Sequence, residues 1–404
     1  MATLRDAVTP REDPGASAPA SGIRMCSRCV LDTRDDPDIV FDSAGVCNHC
    51  HDYARADHAE VLRSAEGEAR VAELVRGVRA EGAGKRYDCV VGVSGGTDST
   101  YVAYLARQWG LRPLVVHFDN GWNSELAVMN IHNIVNRLGF DLDTYVVDWP
   151  EFRDIQVAYL RASVVDIEVV TDHGITGALL QTAAQHGIRT ILLGCNVVTE
   201  AVLPARWIFN KTDHVNLRAI HRRYGTMPLH TYPLLSYWRK KYYHDVLGIR
   251  AAPVLNWVPY VKAEAKELLA RELGWRDYGG KHYESVWTRF YQGYILPRKF
   301  GIDKRKAHLS TLICSGQITR AEAEAELREP IYDPELLATD YVFVLKKLGL
   351  SEPEFEAIMR MPPRPHTDFP VERSTYAAFP ILRPLRPLAG ALRRTLRRGA
   401  RADA

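Results

Sequence analysis

No apolar run in this 404-residue sequence approaches the roughly 20 residues that a membrane-crossing helix needs, so an integral helical membrane protein is excluded. An excess of one charge is equally scarce. There are 52 Lys and Arg against 49 Asp and Glu, a formal net charge of +3. Residues 383–404 hold seven Arg and one Asp, which leaves 45 basic and 48 acidic residues elsewhere. The body is therefore slightly acidic and carries no global nucleic-acid signal, so no nucleic acid partner is expected. Internal repeats are missing too. With 46% hydrophobic residues, 28 Gly and 22 Pro, collagen-like, disordered and coiled-coil classes fall away. Cysteine is sparse and odd in number, at seven. In a chain without the apolar stretch of a secretory signal, that argues against a disulfide framework and for a metal site plus free thiols.

What is present is ordinary globular composition, long enough for two or three domains. Residues 1–24, rich in Ala, Pro and Ser, are expected to be a disordered leader of a cytoplasmic protein. Residues 25–53 form a compact segment rich in Cys and Asp, and 54–84 a helical connector. A different texture follows over 85–248. Short apolar runs at Tyr87–Val93, Pro113–Phe118, Leu142–Val147 and Thr190–Gly194 alternate with helical patterns at Asp98–Trp109, Glu125–Leu138 and Gly174–His186. That alternation predicts an α/β domain with a doubly wound parallel sheet covered on both faces. Residues 249–361 are rich in aromatics and read as mainly helical, with helices at Lys262–Leu273 and Arg320–Leu327. Residues 362–404 are a Pro-rich and Arg-rich tail.

Two motifs carry chemistry. Cys26-Ser-Arg-Cys29 is followed, after seventeen residues, by Cys47-Asn-His-Cys50. A C-x2-C pair turns two thiolates toward one ion, and two such pairs complete a tetrahedral sulfur site, so structural Zn2+ is expected on Cys26, Cys29, Cys47 and Cys50. His49 or His51 in place of a Cys, or an iron–sulfur cluster, are the alternatives. The segment is too short to bury much core, so metal binding would largely fold it.

The second motif is Val93-Ser-Gly-Gly-Thr-Asp-Ser-Thr100, between the first strand and the first helix of the α/β region. Ser94, Gly95 and Gly96 let the backbone turn tightly and present N–H groups to an anion, and the helix start adds partial positive charge. The hydroxyls of Ser94, Thr97 and Ser99 add donors, and Asp98 either caps the helix or holds Mg2+ against phosphates. The Gly-Lys-Ser/Thr ending of a Walker loop is missing.

This string after a strand resembles the PP-loop of the N-type ATP pyrophosphatases, which include asparagine, GMP and argininosuccinate synthetases and tRNA thiolation enzymes. The resemblance implies cleavage of ATP to AMP and pyrophosphate, with Val93, Ser94, Gly95, Gly96, Thr97, Asp98 and Ser99 around the pyrophosphate. It also implies ATP contacts at Asp119, in Asp119-Asn-Gly121, and at Gly194, Asn196 and Glu200, where relatives carry a Gly-His-x-x-Asp-Asp-like run and this chain has Cys195 and Asn196.

From Met25 to about Leu327 the chain resembles a narrower family, the N-acetyl sugar amidotransferases of bacterial surface-polysaccharide and nonulosonic acid pathways. The carrying stretches are Cys29-Val-Leu-Asp-Thr33, Asp38-Ile-Val-Phe-Asp42, Gly45-Val-Cys-Asn-His-Cys50, the loop itself, Asp277-Tyr-Gly-Gly-Lys-His-Tyr-Glu-Ser285, Thr288-Arg-Phe290 and Lys299–His308. Residues after about Asp333 lie outside the resemblance. It implies that the N-acetyl group of a nucleotide-activated sugar becomes an acetamidino group, with ATP and Mg2+ consumed in adenylating the amide oxygen. Lys281 is the expected catalytic cation and His282 the proton acceptor, with Arg289, Lys299 and Lys304 contacting phosphate or sugar nucleotide.

Residue 2 is Ala and no Cys sits in a Gly-x-Cys-x-Gly elbow, so no glutaminase is visible and a separate ammonia-supplying subunit is expected. Two rivals remain. A tRNA-thiolating sulfur transferase would use Cys195 or Cys314 as a persulfide carrier, but a third C-x2-C and a basic body are missing. A non-catalytic zinc-bearing adaptor would require a vestigial loop. The Arg-rich tail, Leu385–Arg401, is either solvated chain or a peripheral contact with an anionic membrane.

Overall fold

Central strands buried on both faces organise the molecule. The computed structural model describes residues 22–280 and 283–372. After the Cys-rich segment come helices α1 (Asn48–Glu60) and α2 (Ser64–Glu81), then strand β1 (Cys89–Gly92), α3 (Thr97–Gln108), β2 (Pro113–Asp119), α4 (Glu125–Leu138) and β3 (Asp141–Val146). Next are α5 (Trp149–Ala162), α6 (Val169–Gln185), β4 (Thr190–Leu193), α7 (Val197–Glu200), α8 (His214–Tyr224), α9 (Tyr237–Lys241) and β5 (Arg250–Pro253). The remainder is helical: α10 (Lys262–Leu273), α11 (Val286–Phe290), α12 (Arg305–Cys314), α13 (Arg320–Arg328), α14 (Pro334–Leu348) and α15 (Glu352–Arg360). Residues 1–21, 281–282 and 373–404 fall outside this description, and with them all but the last three residues of the expected leader, Lys281, His282 and the Arg-rich end of the tail.

The five strands form one parallel sheet in the order β3-β2-β1-β4-β5. Val90 points to one face, with Leu114, Val116, Leu179, Ala183 and Ile191. Its neighbour Val91 points to the other, with Val102, Ile131, Leu192, Leu269 and Trp275. Burial on both faces is why β1 and β2 read as unbroken apolar runs, whereas the edge strand β3 alternates half-buried and exposed residues. This is the doubly wound α/β architecture expected, with a clustered four-Cys segment before it and a helical region after it. Strands β1 to β3 are laid down toward one edge and β4 and β5 toward the other, so the winding reverses between β1 and β4, and in such sheets ligands bind beyond the carboxyl ends of the strands at that switch.

Three features depart from the expected layout. β5 pairs with β4 although it lies past residue 248, so the sheet runs into the segment read as helical. At four residues, with only Ala252 buried, it has no readable pattern. Helix α6 starts at Val169, five residues earlier than expected, because it is buried nearly all round and has no polar stripe to mark its phase. It lies so close to its neighbours that a Cβ on Gly177 would come within 2.1 Å of the Pro233 carbonyl oxygen. Finally, residues 362–372 are no detached tail. Arg364 N donates to Ser163 O at 2.9 Å, and His366 and Phe369 are buried against the body.

Helices α14 and α15 belong to the largest core, which also takes in the Cys segment, α5, α8 and α11. Phe355 of α15 is fully buried and meets the rings of Phe290, Tyr294 and Tyr341. Phe355→Ala is expected to lower unfolding stability by roughly 3–5 kcal/mol, as large-to-small changes in a packed aromatic core do. Urea denaturation of the full chain checks it. A loss under about 1 kcal/mol would mean that α15 is only peripherally attached.

Candidate active site and metal centre

The loop between β1 and α3 is shaped for an anion by what it leaves unfilled. Gly96 occupies the N-cap of α3 with φ −72° and ψ 161°, and no side chain caps the helix. The first-turn amides of Asp98 and Ser99 therefore keep their donors and the positive end of the helix dipole for a ligand, while Thr97 lies against the Tyr278 hydroxyl. Gly95 holds φ +82°, and a Cβ there would sit 2.8 Å from the Ala127 carbonyl oxygen. Trp275 Nε1 donates to Gly95 O at 2.8 Å, anchoring the turn from α10's end. Hydroxyls complete the rim: Ser94 Oγ lies 3.4 Å from Ser99 Oγ and accepts from Gly96 N at 3.3 Å.

Asp98 does not cap α3. Its carboxylate accepts from the Tyr260 hydroxyl and lies 4.0 Å from Lys262 Nζ. Of the two roles the sequence left open, the capping one is excluded, and the carboxylate instead faces Tyr260 and Lys262 at the loop. Gly194, at the end of β4, closes the other side. A Cβ on it would meet the backbone of Asp98 and Ser99 at 3.0 Å, so only glycine lets β4 come this near α3. Although Cys195 is exposed at its surface, the protein packed round its sulfur shields it from water and, with Glu200 and Asp98 nearby, pushes the thiol up to about 11. Both carboxylates therefore act on one small region at the loop mouth and, with phosphate oxygens, are the residues that would hold Mg2+.

Asp119 is tied to the loop through a chain of hydrogen bonds. Val93 O accepts from His117 Nδ1 at 2.9 Å, His117 Nε2 accepts from Asn123 Nδ2 at 2.9 Å, and that amide donates to Asp119 Oδ1 at 3.2 Å. Asn196 instead serves the fold: buried, it caps α7 by accepting from Thr199 N at 2.9 Å and donates to Gly194 O at 3.1 Å.

The expected C-terminal cations are not gathered at the loop. Arg289 is held by Asp340 at 2.5 and 2.8 Å, an ion pair also joined by the Tyr332 hydroxyl. Lys299 donates to the carbonyls of Ile358 and Met361, closing the end of α15, and burial pushes it down to about 8. Lys304, just before α12, acts on the buried Glu168. Lys281 and His282 lie outside the described residues, but their flanks border the loop. A Cβ on Gly96 would lie 3.3 Å from Tyr278 Oη and 3.6 Å from Glu284 Oε1.

Two residues escaped the sequence. Lys262 opens an amphipathic helix and reads as a solvated first turn, yet it is only 17% exposed and reaches the loop aspartate. Glu168 has no motif around it. It is buried beside Thr288 and Asp172, its Oε1 has no hydrogen-bond partner among the described residues, and burial pushes it up to about 7.

The four cysteines converge. Cys26, Cys29, Cys47 and Cys50 are buried, with all ligand sulfurs within 4.8 Å of one another. Individual Sγ–Sγ separations are 3.7, 3.7 and 3.9 Å. Zn–S bonds of about 2.3 Å in a tetrahedron place sulfurs about 3.8 Å apart, so the cage fits one tetrahedral ion and is too tight for a multi-iron cluster. Amides of Arg28, Cys29 and Cys47 donate to Cys26 Sγ at 3.3–3.4 Å, which supports a thiolate there. Neither histidine turns to the cage: His49 pairs with Asp36 and His51 with Asp42, each at 2.9 Å. Cys314, read as a scattered thiol, is buried 3.6 Å from Cys50 Sγ.

Comparison with known proteins bears on the C-terminal region. Residues 284–383 match the family model of the LPS biosynthesis protein WbpG-like, C-terminal domain. This stretch is WbpG-like. It begins at Glu284, beside the loop, and runs through α14 and α15, so family likeness extends past Asp333, where the sequence resemblance was taken to end. No curated protein matches the chain. Among solved structures, an NH3-dependent NAD synthetase from Campylobacter jejuni subsp. jejuni NCTC 11168, in complex with the nitrate ion, aligns over 70% of this chain and 97% of its own. Identity is 12% and the TM-score 0.28, too low to support any argument about the WbpG-like region or the site. No helix among the described residues is long and apolar enough to cross a membrane.

Two outcomes are expected. The purified chain should carry one equivalent of zinc by elemental analysis, and Cys47→Ser should lose most of it; iron in place of zinc, or unchanged zinc in the variant, would overturn the assignment. Glu168, raised from an ordinary value near 4.5 to about 7, binds its proton more tightly when folded. Its contribution is thus fully present below about pH 4.5 and lost as pH rises through 7. Glu168→Gln should raise the unfolding temperature at pH 8, with a gain on the order of 1–3 kcal/mol, and change little at pH 4.5. Equal effects at both pH values would rule out an ionising Glu168.

Proposed function

We propose that this chain is an ATP-dependent amidotransferase acting on the N-acetyl group of a nucleotide-activated sugar in surface-polysaccharide synthesis. The observation that carries the reading is the uncapped α3 amino terminus behind Ser94-Gly95-Gly96, at the β1/β4 switch, with Asp98, Glu200 and Lys262 around it. A WbpG-like stretch bordering that loop supports the biosynthetic setting. An amide carbon is a poor electrophile and its oxygen a poor leaving group. In the proposed reaction the amide oxygen attacks the α-phosphorus of ATP, and pyrophosphate leaves onto the loop amides. Ammonia then adds to the imidate carbon and loses a proton, and AMP departs with the oxygen to leave an acetamidino group. Lys262, together with Lys281 from the sequence, offsets charge developing on the phosphate, and His282 takes the proton. Mg2+ on Asp98 and Glu200 would screen the phosphates when bound, and zinc on the four cysteines would hold the N-terminal segment. Ammonia comes from a separate subunit.

Sulfur transfer fits the thiols poorly. Cys195 is held protonated by its surroundings, and Cys314 is buried against the cysteine cage, so neither is a ready persulfide carrier.

Mass spectrometry on reactions with ATP, Mg2+, ammonium salt and a panel of N-acetylated nucleotide sugars tests the reading. One sugar should lose an O and gain an NH, with AMP formed in equal amount. Asp98→Asn should lower that rate by about a hundredfold or more, whereas Cys195→Ser should leave it within about twofold. AMP without an amidine product would refute the acceptor, and loss of turnover in Cys195→Ser would favour thiol chemistry.

A further inference from the structure

A second cavity opens beyond the carboxyl ends of β2 and β3. It has a volume of about 710 Å³, within the range of small-molecule sites, and its walls include Asp119, Trp149, Arg153, Phe343, Lys346 and Lys347. Three cations face one carboxylate there, in a protein whose body is slightly acidic. Arg153 and Lys346 make no side-chain hydrogen bond or ion pair among the described residues. Lys347 is held differently. Its ammonium donates to Gly121 O and lies 4.8–5.4 Å from the ring centroids of Trp122, Trp149 and Phe343. That cage fixes one positive charge on the wall beside an aromatic surface, and Phe343 remains 42% exposed despite its size. Fixed and unpaired cations beside an exposed ring are the complement of a phosphate-bearing aromatic molecule.

We propose that this cavity binds the nucleoside diphosphate half of the second substrate. The base stacks on Phe343, Arg153 and Lys346 take the phosphates, and Asp119 accepts from ribose hydroxyls. The placement deepens the reading above and rests on it for what the ligand does, though not for the binding itself. The elements that build it separate the cavity from the triphosphate site. Its cations come from α5 and α14, while the loop is bordered by Tyr260, Lys262 and Tyr278. Asp119 is the shared edge, joined to Val93 through Asn123 and His117, so a sugar projecting from a diphosphate here is directed toward the loop.

Isothermal titration of the full chain with UDP, and separately with ATP and Mg2+, tests this without requiring turnover. UDP should bind the native protein, with or without ATP present. Arg153→Glu/Lys346→Glu should weaken UDP by about tenfold or more while leaving ATP within about twofold. Phe343→Ala should weaken UDP without altering net charge, and circular dichroism should show both variants folded. Absence of UDP binding, or UDP binding unaffected in the folded charge variant, would overturn the site. Loss of ATP together with UDP would show instead that the cavity is the base end of the ATP site. UDP binding with these properties in a protein that forms no amidine would leave the cavity standing and remove only the reaction.

Discussion

The rest of the molecule is arranged around a helix end that must stay empty. The first-turn amides of α3 can receive an anion only if no side chain caps them, and an uncapped helix end is unfavourable by itself. The surroundings hold it in place instead. Trp275 pins Gly95 O, Thr100 Oγ1 donates to Gly96 O at 2.6 Å, and Gly194 lets β4 pass within van der Waals contact of the same turn. Sheet packing, not local preference, keeps the loop ready.

The same economy explains the position of the C-terminal region. Ser124 N, at the start of α4, donates to Glu284 O at 2.8 Å, and Val286 N donates to Trp122 O at 2.8 Å. The stretch that begins the WbpG-like match is thus stitched across the end of β2, while Trp122 stacks on Trp287 with centroids 5.5 Å apart. The Cys segment grips the far side of this region. Lys306 pairs with Asp32 and Asp35, Arg28 reaches Cys314 O, and Val30 packs on Leu309. A metal in that cage would stiffen the support of α12, whose neighbour α7 carries Glu200.

How far the sequence could be read depended on the range of the forces involved. Helix α4 was legible to the residue because Ser124 caps it, Gly139 at φ +66° ends it, and one face is apolar. Helix α14 carries equal signals, with Asp333 at its N-cap, Pro334 after it and Gly349 at φ +70°. Helix α6 and strand β5 had no such marks, being defined only by what covers them. At the site, the glycines, serines and Asp98 stood out because contiguous backbone builds the loop. The partners of Arg289 and Lys299 were not legible, because a cation written in a line shows none; Asp340 lies 51 residues away and the Met361 carbonyl 62.

By itself, then, the amino-acid sequence determined the parallel α/β layering, the anion loop and the four-cysteine pattern, since each rests on periodicity or spacing within a short stretch. Tertiary structure alone decided the rest. It showed that the cysteines enclose a volume suited to one ion, that Asn196 caps a helix, and that Lys262 faces Asp98. It also brought α5 and α14 together around a cavity beside Asp119. Those outcomes depend on which surfaces remain exposed after the core has formed, and burial is a property of the whole chain.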